Sequence, residues 1–251
     1  MAEPFSITEN GFFSLKLKRD EIMSDVKFPE LQGLYDPSTE KDSCGIGFVA
    51  NIKGIKSHDI IKRGIEVLEN MSHRGAESAD NASGDGAGIL IQIPHKFILS
   101  KGIKVPDEGK YATGLVFLPQ GVSERASCEK LLIETLVAEG LDVIDFHDVQ
   151  VDNSILGDIA KNSEPFIRQI YVTGNFEQDE LERRLYISRK QAENKIWNSP
   201  IRKKEVFYIP SLSSKVMIYK GMLTSHQLSQ YFIDLKNPLM ESALALIHSR
   251  F

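Results

Sequence analysis

Cysteine is scarce. The 251 residues contain only Cys44 and Cys128, too few for a disulfide scaffold or a cysteine zinc site, and this economy fits a reducing compartment. Positive charge is not in excess either. Lys and Arg total 30 against 35 Asp and Glu, a net charge of −5. Nothing is therefore left over to neutralise phosphates, and nucleic acid and anionic membranes are excluded as partners. Trp197 and Phe207 stand without interleaved basic residues, which argues against base stacking. No window approaches the roughly 18 consecutive apolar residues of a membrane helix. Residues 1–13 lack the basic start of a secretory signal, and Lys16, Lys18 and Arg19 interrupt the apolar stretch after them. The expected location is the cytoplasm. The histidines at 58, 73, 95, 147, 226 and 248 form neither an HExxH run nor a close Cys/His set, so no protein metal site is expected.

What the chain does have is the composition of a soluble protein with a core, 41% hydrophobic and 26% charged. Residues 1–43 differ from the rest. They hold nine acids and five bases, and they end in the turn-rich run Asp36-Pro37-Ser38-Thr39-Glu40-Lys41-Asp42-Ser43. The plain reading is a mobile leader. Beyond them the patterning predicts a strand at 46–52 and a helix capped at Ser57 with Ile61, Ile65 and Leu68 on one side. A Gly-, Ser-, Asn- and Asp-rich loop comes next, at 72–88. Further strands are predicted at 87–93, 113–118, 141–148 and 166–174, with helices at 122–138 and 177–195. Glu180, four residues before Arg184, supports the second helix. Short strands at 204–209 and 215–220 read as a hairpin around Ser211, Ser213 and Ser214. Strands and helices interleave without strict alternation, so the expected class is α+β, sheet layers covered by helices. At the end, Leu244, Leu246 and His248 alternate with Ala243, Ala245 and Ile247. This buried-strand pattern leads to the expectation that the sequence stops within a domain.

Three segments carry residues able to do chemistry. Cys44 stands between leader and body and opens Cys44-Gly45-Ile46-Gly47-Phe48. A lone cysteine is ordinarily a small buried hydrophobe. Were the 43–44 bond cut, however, Cys44 would gain a free α-amino group with a reference pKa of about 7.7–8.0. Such an amine can take the thiol proton and return it to a leaving amine. His73-Arg74-Gly75 offers a cationic fork for a carboxylate or carbonyl. Ser83-Gly84-Asp85-Gly86-Ala87-Gly88 is spaced G-x-G-x-G rather than G-x-G-x-x-G, and no dinucleotide unit surrounds it. His248-Ser249-Arg250-Phe251 ends the chain, and on an alternating strand His248 and Arg250 share a side. From spacing alone, a solvated strand end is the simpler account of these last residues. Cys128, inside a predicted helix, reads as filler.

Taken together, Gly33-Leu34-Tyr35-Asp36-Pro37, Cys44-Gly45-Ile46-Gly47-Phe48, His73-Arg74-Gly75-Ala76, Asp80-Asn81, Gly84-Asp85-Gly86-Ala87-Gly88 and His248-Ser249-Arg250-Phe251 resemble the start of the large chain of bacterial glutamate synthase. The resemblance runs from about residue 31 to the end. It implies a class II glutamine amidotransferase domain over 44–251, with 1–43 removed as a leader. The implied fold is a four-layer αββα sandwich of the N-terminal-nucleophile hydrolase type, incomplete at the C-terminus. It implies that Cys44 attacks the side-chain amide of glutamine, that Arg250 holds the α-carboxylate, and that Arg74 shapes the pocket. Ammonia would pass to 2-oxoglutarate in a downstream synthase domain of the same polypeptide. FMN and an iron–sulfur cluster belong to that larger protein, with an NADPH-oxidising small subunit as partner, and no cofactor is expected in this segment. The family's oxyanion-hole Asn-Gly pair would come after Phe251, and losing such a donor costs about 10²–10³ in rate. The segment alone is therefore expected to be inactive. Two other readings stay open on the residues: a non-catalytic homologue acting as a binding module, and another class II amidotransferase.

Overall fold

A computed structural model describes residues 5–7, 13–15, 45–72 and 83–249. The chain divides into two units, Met1–Asp42 and Ser43–Phe251. In the first, β1 (Phe5–Ile7) pairs antiparallel with β2 (Phe13–Leu15), Ser6 opposite Ser14. The leader expectation otherwise falls outside the described residues.

The second unit is built around two antiparallel sheets. The first has the order β3-β9-β4-β8, formed by Gly45–Ala50, Leu244–Ser249, Ala87–Gln92 and Val216–Gly221. Its alternation separates two faces. Ile89, Ile91, Met217, Tyr219, Ala245 and Ile247 are buried on one face. They form a cluster with Ile61 and Leu68 of α1 (His58–Asn70). On the opposite face Ile46, Phe48 and Leu246 are 69%, 74% and 40% exposed. The helix predicted from Ile61, Ile65 and Leu68 is α1, and Ser57 occupies its N-cap position without a side-chain capping bond.

The second sheet has the order β5-β7-β6, formed by Tyr111–Leu118, Phe166–Thr173 and Asp142–Asp148. All eight residues of β5 are buried, as suits its continuous apolar run. Ala112, Val116, Leu118, Ile170 and Val172 pack against Cys128, Leu132 and Leu136 of α3 (Val122–Ala138) and Leu181, Leu185 and Ile196 of α5 (Gln178–Trp197). The other face supplies Leu115, Phe117 and Ile167 to the cluster that holds the buried side of the first sheet. The observed class is thus α+β with antiparallel sheets and helices against them.

The predicted hairpin is corrected. Lys204–Val206 is a 3-10 turn, entered through Lys203 with a positive φ of 57°. Tyr208 and Ser213 form isolated bridges to Phe117 and Thr113 of β5, while β8 pairs with β4 in the other sheet. The serines that suggested a turn are instead gathered by one carboxylate: Ser213 Oγ, Ser214 N and Ser214 Oγ all donate to Glu182 of α5. Short elements that patterning missed are α2 (His95–Ser100), α4 (Asp158–Asn162) and α6 (Leu228–Tyr231).

Candidate active site

One end of the first sheet collects the chain segments on which chemistry was expected. Gly45 pairs with Ser249, Ser249 with Ala87, and Ala87 with Gly221. The row Gly45–Ser249–Ala87–Gly221 crosses the sheet in three steps of about 4.8 Å each. Cys44 precedes Gly45 in the chain, Arg250 comes after Ser249, and Gly84-Asp85-Gly86 leads into Ala87. The last turn of α1 is at the same end: Val67 Cγ1 and Met71 Cε lie 3.0 and 3.7 Å from where a Cβ on Gly47 would be. His73-Arg74-Gly75 comes directly after that turn. Cys44, Arg74 and Arg250 themselves lie outside the described residues, as do His73, Gly75 and Asp80-Asn81. What is brought together is the set of their described neighbours, which sequence separates by about 200 positions.

The next row of the sheet is Ile46–His248–Gly88–Lys220. A Cβ on Gly88 would stand 2.9 Å from His248 Cε1 and 2.9 Å from Lys220 Cβ. The His248 ring therefore lies across the backbone of β4, in space that only glycine leaves free. The same logic explains Gly84, where a Cβ would meet the backbone of Leu223 and Thr224. Gly84 and Gly88 are thus packing requirements, while Gly86 between them adopts a positive φ of 130°. Ser83, in the same loop, is buried, and its Oγ accepts from Ala160 N at 3.3 Å.

Sequence reasoning missed three features here. Lys220 is half-buried, and loss of hydration lowers the pKa of its ammonium group; its Nζ stands 5.2 Å from the Tyr208 ring centroid. Ser249 is buried, and its hydroxyl has no hydrogen-bond partner among the described residues. A cleft of about 680 Å³ opens beside the end of β8, between Lys220, Gly221, Leu223, Phe117, Ile167 and Tyr208. The alternation of Val216–Gly221 could have placed Lys220 on a strand, but not on the same face as His248, because that depends on long-range register. Cys128 is fully buried in α3, and burial pushes its thiol up to about 11. A thiol so protonated is a packing group and not a nucleophile at neutral pH.

No group of three His, Cys, Asp or Glu side chains able to hold a metal ion occurs among the described residues. No described helix is long and apolar enough to cross a membrane.

The chain belongs to the class II glutamine amidotransferases, whose family profile matches residues 44–251. It is similar to the glutamate synthase [NADPH] large chain of Bacillus subtilis (strain 168), 41% identical over 230 residues, covering 90% of this chain and 15% of that protein. It is also similar to the glutamate synthase [NADH] of Saccharomyces cerevisiae (38% identical; 89% of this chain, 11% of that protein). A third relative is the ferredoxin-dependent glutamate synthase 2 of Synechocystis sp. (39% identical; 84% and 14%). The chain spans between 11% and 15% of the length of these relatives.

Proposed function

We propose that residues 44–251 form the glutaminase part of a glutamate synthase. The observation that carries this reading is the register of Gly45 with Ser249, which joins the strand that opens after Cys44 to the strand that leads into Arg250. Residues 1–43 are removed and Cys44 becomes the first residue. Its free α-amino group takes the thiol proton, and the thiolate attacks the side-chain amide carbon of glutamine. The same amine protonates the leaving nitrogen, ammonia departs, and water hydrolyses the thioester to release glutamate. Arg250 holds the α-carboxylate of glutamine through its two-pronged guanidinium, and Arg74 shapes the pocket around the sulfur. The ammonia goes to 2-oxoglutarate in a synthase domain of the same polypeptide, in the cytoplasm, with an NADPH-oxidising small subunit as electron source. FMN and an iron–sulfur cluster belong to those other parts. The described residues do not fit either group: their one cysteine is buried in α3, and the space over Gly84 and Gly88 is taken by Leu223 and His248.

The architecture proposed for the complete domain is the four-layer αββα sandwich. In support, the open face of the first sheet carries Ile46, Phe48 and Leu246 at 69%, 74% and 40% exposure, an apolar surface of the kind that packs on a second sheet.

The test is N-terminal sequencing of the active full-length polypeptide together with the Cys44→Ala variant. Mature protein is expected to begin at Cys44, and the alanine variant is expected to release no ammonia from glutamine. Active enzyme that still begins with Met1, or an alanine variant with unchanged ammonia release, would overturn the assignment.

A further inference from the structure

The open face of the first sheet is apolar with one exception in charge. Register sets its described residues in rows: Ile46–His248–Gly88–Lys220, then Phe48–Leu246–Leu90–Ile218, then the pairs Ala50–Leu244 and Gln92–Val216. Lys220 is the only Lys, Arg, Asp or Glu among these described positions. A face that serves packing alone would carry an apolar residue there, because partial burial strips water from an ammonium group. Lys220 is half-buried, and that loss of hydration lowers its pKa. Sequences break local packing rules in this way chiefly where function requires it.

The place of Lys220 in the sheet indicates which function. Its row is the one next to Gly45–Ser249–Ala87–Gly221, at the end where β3 opens after Cys44 and β9 leads into Arg250. Gly88 alone separates it from His248 along that row. A point over Gly88 is 2.9 Å from both His248 Cε1 and Lys220 Cβ, so the imidazole and the lysine stem are neighbours across a glycine floor. His248 stands two positions before Arg250, on the same side by alternation. The Lys220 head lies 5.2 Å from the Tyr208 ring centroid, beside the cleft of about 680 Å³. Its four-carbon stem is flexible, so the head can turn from that ring toward the sheet's end. Two carboxylates line the cleft, and neither belongs to the sheet face. Glu164 accepts from Tyr231 Oη at 2.8 Å and from Asn153 Nδ2 at 3.1 Å, and Glu205 stands exposed on the 3-10 turn.

On the glutaminase reading, on which this inference rests, the ligand at that end is glutamine, and its α-carboxylate is the negative charge to be met. We propose that Lys220 is a second cationic contact for the α-carboxylate of glutamine, acting beside Arg250 and selecting for a free carboxylate. The two cations do different work. The guanidinium fork fixes direction, whereas the ammonium is a compact charge that adds attraction. The bound carboxylate in turn restores to the ammonium the stabilisation that burial removes.

The test is steady-state ammonia release by the active full-length polypeptide. Lys220→Met keeps the length of the stem and removes the charge, and its fold is verified by circular dichroism. It is expected to raise KM for glutamine about tenfold, the low end for a hydrogen bond to a charged group, with the loss in KM rather than kcat. Lys220→Arg is expected to recover most of it. Glutaminamide, whose α-carboxylate is replaced by a neutral carboxamide, is the control. Its affinity, read as KM or as Ki against glutamine, is expected to be the same in wild type and Lys220→Met. An unchanged KM for glutamine in Lys220→Met, or an equal loss of affinity for glutaminamide, would overturn the proposal. Cys44→Ala run alongside separates the two questions. Ammonia release that survives in Cys44→Ala removes the glutaminase reading itself, whereas an inactive Cys44→Ala with wild-type KM in Lys220→Met removes the role of Lys220 alone.

Discussion

The two sheets of the 44–251 unit are finished to different degrees. In the second, β5 is buried along its whole length, with α3 and α5 on one face and the core shared with the first sheet on the other. In the first, one face is as dry as any core, while the other leaves Phe48 74% exposed. The contrast is chemical as well. The second sheet's backbone carries long apolar runs such as Leu115-Val116-Phe117-Leu118. The first alternates, and the row next to its open end places His248 and Lys220 beside Gly88. One sheet is closed by its own helices. The other presents a surface and an end, the two things that a site built with further chain would need.

Substitution can measure the difference. Leu132 is 0% exposed and central to the cluster between α3, α5 and the second sheet. Leu132→Ala is expected to cost about 2–5 kcal/mol, from lost transfer energy and the cavity left behind, read by denaturant unfolding. Phe48→Ala removes a larger side chain from the first sheet, yet it is expected to change the stability of this chain by no more than about 0.5 kcal/mol, as an exposed position does. The same change in a longer polypeptide that covers this face would cost about 3–5 kcal/mol, the usual loss for a buried phenylalanine. Equal small effects in both would remove the distinction between the sheets.

Much of the second sheet was legible in the sequence. The helices at 122–138 and 177–195 and the strands at 141–148 and 166–174 match α3, α5, β6 and β7 closely, because their periods are long and their cores are local. The segment 204–214 was misread because its pairing is not with its neighbour in sequence but with β5, some 95 residues earlier. Alternation alone carries no information on which strand a segment joins. For the site, the residue types near Cys44 and Arg250 were legible through their motifs. The register that sets Gly45 beside Ser249 was not, nor was the buried hydroxyl of Ser249, since burial by distant chain leaves no local signature.

The smallest expected effect sits on the closed sheet's outer helix. Glu180 accepts from Arg184 Nε at 2.6 Å and from Arg183 Nε at 2.8 Å, and these hydrogen bonds lower its carboxyl pKa from 4.5 to about 2. Because the folded value is the depressed one, the contribution is present above pH 4.5 and is lost as pH falls through about 2. The pairs lie at the solvent-facing start of α5, where screening keeps them weak. Glu180→Gln is therefore expected to lower the melting temperature slightly at pH 7, with the gap to wild type closing between pH 4.5 and 2. A gap that stayed constant across that window would mean that the carboxylate's charge contributes nothing there. In that case the helix start would be held by α5's buried face, Leu181 and Leu185, alone.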